Sequence, residues 1–105
     1  MSRPILSAPM AMTTEHSERA MPELDYWREL YRLGAGAYFD IMSASAYGLD
    51  QPPTAEPDPD QINVRRIELL REVMVEFGDE HKAVWLNEYG WNAAPETMDA
   101  DRLVW

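Results

Sequence analysis

This sequence predicts an α/β fold built on parallel strands, and three observations carry that expectation. Two stretches have the three-to-four-residue apolar spacing of helices with one dry face, three short runs of apolar and small residues flank them, and the order is strand, helix, strand, long loop, helix, strand. Such an alternation requires crossover connections and therefore parallel pairing. The 105 residues are 46% hydrophobic, enough for one domain with a small core.

The elements follow in chain order. Residues 4–9, Pro-Ile-Leu-Ser-Ala-Pro, read as the tail of a short buried strand, and the polar run 13–17 reads as a loop. Pro22 suits a first helical turn, where its missing N–H is not needed. Leu24, Trp27, Leu30 and Tyr31 then form an apolar stripe, with Glu23, Asp25, Arg28, Glu29 and Arg32 expected to face water. Gly34 and Gly36 supply the stop. From Tyr38 to Gly48, small residues after a short apolar start predict a second buried strand ending near Ser45. Four prolines between positions 52 and 59 leave room only for a stiff loop.

A second helix is expected over residues 62–77, with Asp60 as N-cap and Gly78 as stop. Its stripe is Val64 or Asn63, Ile67, Leu70, Val73 or Met74, and Phe77. Arg65, Arg66, Glu68, Arg71, Glu72 and Glu76 would cover the wet face. Ala83-Val84-Trp85-Leu86 then predicts a strand buried on both faces. Residues 92–105 read as a polar loop with a short helical start near Asp99. Two helices cannot cover both faces of a parallel sheet, and three strands do not close a barrel, so the chain is expected to be part of a larger α/β domain.

Composition removes several function classes. Nine basic against 19 acidic side chains give a formal charge of −10. There is then no basic stripe to meet a nucleic-acid backbone. The absence of cysteine excludes disulfides and thiolate metal sites. No run approaches 18 apolar residues, so no membrane-spanning helix is expected, and residues 1–12 are too short and interrupted for a signal peptide. His16 and His81 show no metal-ligand spacing, and the prolines among Glu56, Asp58 and Asp60 break any calcium-loop pattern. Met10-Ala11-Met12 reads as loop packing. No cofactor and no metal are expected.

Chemistry concentrates in Ala83-Val84-Trp85-Leu86-Asn87-Glu88-Tyr89-Gly90-Trp91. A carboxylate just past the C-terminal end of a buried parallel strand stands where such sheets place their active sites. Trp85, Tyr89 and Trp91 would desolvate it partly and offer flat surfaces for a sugar ring. Tyr47 and Ser45 would lie on the same rim, one βα unit earlier, and the tyrosine hydroxyl could fix the rotamer of the carboxylate. The residues alone equally allow a glutamate that only solvates a strand end and a tyrosine half-packed under the proline loop.

Trp-Leu-Asn-Glu88-Tyr-Gly-Trp, preceded by Lys82-Ala83-Val84, resembles strand seven of the clan A glycoside hydrolases, whose motif there is roughly Lys-Pro-apolar-Trp-apolar-Thr-Glu-aromatic-Gly-Trp. Phe39-Asp40 through Tyr47-Gly48 resembles their strand six, often Asp-x-x-x-x-His-x-Tyr, and Ile5-Leu6-Ser7-Ala8 would end strand five. The resemblance spans residues 5–96 in the family's order. It implies an incomplete TIM barrel, strands five to seven of a (β/α)8 fold, within a retaining enzyme that hydrolyses a β-linked glycan. Glu88 then matches the catalytic nucleophile and Tyr47 the tyrosine that contacts it. Trp91, Tyr89, Ser45 and Asn87 match substrate-binding positions. Ser45 stands where many relatives have histidine, Ala46 where they have proline, and Asn87 replaces the usual threonine.

The family's acid/base carboxylate, commonly in an Asn-Glu pair at the end of strand four, has no match here. Asn87-Glu88 is already used, and Glu15 lies on the right rim but at the wrong position. The resemblance therefore implies that this chain is a fragment, inactive alone, of a longer parent enzyme. A carbohydrate substrate is the partner implied. Two other readings stay open: a carbohydrate-binding barrel that has lost catalysis, and a small acidic interaction domain that self-associates to complete its sheet.

Overall fold

Residues 3–91 are described by the computed structural model. The first helix, α1 (Glu23–Arg32), starts directly after Pro22, with two acidic residues in its first turn and Arg32 in its last, the arrangement the helix dipole favours. Gly34 ends it at φ +91°, a left-handed conformation that costs glycine little. A 3-10 turn, Ala35–Tyr38, leads to β1 (Met42–Leu49). The proline loop leads to α2 (Arg66–Glu76), and a short turn to β2 (Val84–Trp91). The two strands pair in parallel. The described residues thus form a small α/β unit of two parallel strands and two helices.

Helix-facing side chains build the core. Leu24, Trp27 and Tyr31 of α1 meet Leu70, Val73 and Met74 of α2 over Phe39, Met42 and Ala44. Tyr31 stacks on Phe77 with ring centres 5.1 Å apart, and Trp27 meets Phe39 edge-on at 5.4 Å. Such pairs add roughly 0.5–1.5 kcal/mol beyond the area they bury. Both expected apolar stripes therefore do what their spacing predicts.

Several expectations need correction. The strand expected over residues 4–9 is reduced to one parallel bridge, Leu6 to Ile41, and both Ile5 and Leu6 are exposed. Pro4 and Pro9 bracket it and cannot donate to a ladder. The second strand begins at Met42 and runs past Ser45 to Leu49, because the Asp40 and Ile41 amides are bonded to Ile5 O at 2.7 and 3.2 Å before pairing with β2 begins. Helix α2 starts four residues late, without Asp60 as its cap. The Asp60 amide instead donates to Asp58 Oδ1 at 2.8 Å, closing a local turn.

Glu23 and Arg66 do not face water; they are 7% and 1% exposed. Arg66 Nε and Nη2 grip the two Glu23 carboxylate oxygens at 2.7 and 2.9 Å. The remaining donors reach the backbone carbonyls of Thr13, Asp58, Pro59 and Gln61. One guanidinium thereby ties both loops to both helices. Nor is β2 buried on both faces: Trp85, Leu86 and Tyr89 are 53%, 48% and 69% exposed. Among the described residues β1 is its one strand neighbour, and the helices cover one side of the pair. The loop expected over 92–105 lies outside the described residues.

Candidate active site

Strand register decides which side chains share a face. Met42, Ala44 and Ala46 point into the helix-covered core, so Ser43, Ser45 and Tyr47 point to the other side. On β2, Trp85 pairs with Ser43 and Leu86 with Ala44, but Glu88 pairs with Ser45. Asn87 is the extra residue of a β-bulge. In an unbulged strand Asn87 would lie opposite Ser45, and Glu88 would turn toward the helices. The bulge re-aims it, a familiar use of such irregularities at sheet rims.

On that open face the Tyr47 hydroxyl donates a hydrogen bond to Glu88 Oε2. The contact joins neighbouring strands whose C-terminal ends coincide, two positions along β1 from the residue paired with Glu88. Tyr47 and Ser45 are half-buried and Glu88 and Asn87 exposed. Among the described residues, a Cβ placed at Gly90, the partner of Tyr47, would meet nothing within 4 Å, so none of them covers the surface beside the phenol there. The arrangement offers an accessible carboxylate with its rotamer held by a phenol. That suits nucleophilic attack or proton transfer.

The aromatic residues separate from this pair. Tyr89 is partnered with Ala46 and so belongs to the helix side of the sheet. Trp91 lays its indole against buried Gly48, leaving Nε1 buried with no acceptor among the described residues. The aromatic residue that shares the Glu88 face is Trp85. The residues alone offered Trp85, Tyr89 and Trp91 alike; the family resemblance singled out Tyr89 and Trp91 because a motif counts residues, and a bulge changes which of them share a side.

Glu15 is engaged locally, its carboxylate accepting from Ser17 Oγ at 2.9 Å. His16 and His81 are exposed, and among the described residues no three metal-ligating side chains gather. A cleft of about 400 Å3 opens elsewhere, between α1, α2 and the proline loop, lined by Asp25, Arg28, Asp60 and Glu72 among others. The most perturbed titration is at the opposite end of the strands. Burial, and then the adjoining Asp79 carboxylate, push the Tyr31 phenol well above its ordinary range. There Lys82 Nζ pairs with Asp79 Oδ2 at 2.8 Å and sits 4.0 Å over the Phe39 ring. No protein-family model, curated protein or solved structure matches the chain.

Proposed function

We propose that this chain supplies strands five to seven of a retaining glycoside hydrolase barrel acting on a β-linked glycan. Glu88 is the nucleophile and Tyr47 orients it. The hydrogen bond from Tyr47 to Glu88, across the C-terminal halves of adjacent parallel strands, is the observation that carries this reading. The Glu88 carboxylate attacks the anomeric carbon as the glycosidic C–O bond breaks, and water later releases the glycosyl–enzyme ester. A second carboxyl group, about 5–5.5 Å away in retaining enzymes, must protonate the leaving oxygen. No residue of this chain is assigned to that role.

A substrate whose leaving group departs unprotonated tests the nucleophile without its partner. The longest polypeptide encoded in frame should be incubated with dinitrophenyl 2-deoxy-2-fluoro-β-glycosides, and its intact mass followed. One glycosyl unit should be added, on the peptide holding Glu88, and Glu88→Gln should take up none. Equal labelling of Glu88→Gln would sink the assignment. Tyr47→Phe should slow labelling by about 10- to 100-fold, the kinetic equivalent of one hydrogen bond to a charged group.

A second reading has an observation of its own. Trp85, Leu86 and Tyr89 expose apolar surface along β2, which favours a small acidic interaction domain that completes its sheet by self-association. Sedimentation velocity at micromolar concentration separates the two. A dimer without glycosyl labelling supports the interaction domain, and a monomer contradicts it.

A further inference from the structure

The edge of β1 away from β2 is satisfied in an unusual way. The amides of Ile41, just before β1, and of Ser43 and Tyr47 face residues 5–12, and the first follows a normal ladder, with Ile41 N donating to Ile5 O at 3.2 Å. Beyond Ser7 the two segments form no backbone hydrogen bond, and the acceptors become side chains. Ser43 N donates to Ser7 Oγ at 2.9 Å, and Tyr47 N donates to Met12 Sδ at 3.3 Å. A thioether is a weak acceptor, yet a β-strand amide left without one would lose the net worth of a hydrogen bond.

We infer that Met12 is a positioning residue for Tyr47. Its sulfur fixes the Tyr47 backbone on the edge of β1 away from β2, and so fixes where the phenol meets Glu88. Glu88 needs this because it is exposed and bulged, and the Tyr47 hydroxyl is the side-chain contact shown for its carboxylate. The strand beneath Tyr47 is held on one edge by the pairing to Gly90 and on the other by Met12. The flexible, unbranched methionine reaches an amide that the chain of residues 9–12 no longer approaches with its own carbonyls. The functional consequence rests on the glycosidase reading; the contact itself does not.

Met12→Leu tests it, because the swap keeps size and apolarity while removing the acceptor. In nuclear magnetic resonance of the whole chain, the Tyr47 amide proton should move upfield. It should also exchange roughly fivefold faster, the fold-change of a weak hydrogen bond lost. The Tyr47 Cζ resonance, which reports the phenol's hydrogen bond to Glu88, should move with it. Met12→Gln, which returns an acceptor oxygen, should restore both signals. Met10→Leu, a neighbouring half-buried methionine with no such contact, should leave them in place. An unchanged Tyr47 amide in Met12→Leu overturns the inference. If Met12→Leu fails to fold, the selenium resonance of selenomethionine-labelled protein decides: coupling to the Tyr47 amide supports the contact, and its absence overturns it. Because these signals need no sugar, the inference and the glycosidase reading can fail separately.

Discussion

At the scale of single residues, the pair Glu23–Arg66 matters most for stability. Each is almost wholly out of water, and each neutralises the other. Arg66→Met would leave the Glu23 charge uncompensated and the carbonyls of Thr13, Pro59 and Gln61 without their donor. Urea unfolding should show a loss of about 3–5 kcal/mol. The double change Glu23→Leu, Arg66→Met should recover only part of this, because the carbonyls of Thr13, Pro59 and Gln61 lose the donor that Arg66 supplied, whereas Asp58 O keeps the Gln61 amide at 3.1 Å. Helical spacing placed both residues on wet faces, and it did so for a physical reason. Periodicity sees one helix at a time, whereas these side chains are covered by loops from elsewhere in the chain. Tyr31 gives a second residue-level expectation. Its folded pKa lies above the ordinary tyrosine value, so its contribution is complete below about pH 10 and is lost as pH rises beyond, when the unfolded chain ionises first. Phenolate absorbance should therefore show one tyrosine that ionises only with unfolding, and Tyr31→Phe should remove that step.

At the scale of elements, α1, α2 and the parallel pairing of β1 with β2 were legible because each follows from a period or an alternation. Boundaries were less so. Asn63 and Arg66 draw residues 56–65 into side-chain bonds that delay α2, and the bonds of Asp40 and Ile41 to Ile5 delay β1. The bulge at Asn87 was illegible, since no composition marks it, although it determines which way Glu88 points. Deleting Asn87 should be tolerated: Glu88 would then follow Leu86 directly, still opposite Ser45, in a regular strand. The Tyr47 Cζ resonance should keep its wild-type position in that deletion. A displaced resonance would mean that the bulge does more than carry the extra residue.

At the scale of the whole molecule, ten negative charges in excess are spread over a small unit. Surface ion pairs such as Arg65 with Glu68 and Arg28 with Asp25 offset little of that repulsion. Raising ionic strength from about 0.01 M to about 1 M, which shortens the screening length from roughly 30 to 3 Å, should therefore raise the Tm. A fall would indicate that attractive pairs outweigh the net repulsion. The order of the three chain segments in space, 5–7 beside β1 and β1 beside β2, also followed from the sequence. The exposure of β2 did not, because an apolar strand reports how much cover it can use and not how much the surrounding chain provides.

The packing of Trp91 on Gly48 carries one more consequence. A Cβ added at position 48 would lie 2.0 Å from two atoms of the indole ring, so glycine there is dictated by a residue 43 positions later in the chain. The two positions form a single inherited unit. Across any set of homologous chains, a side chain at 48 should be accompanied by a smaller residue at 91, and a tryptophan at 91 by glycine at 48. Sequence divergence would then preserve, as a correlated pair of letters, the packing that closes the C-terminal ends of the two strands.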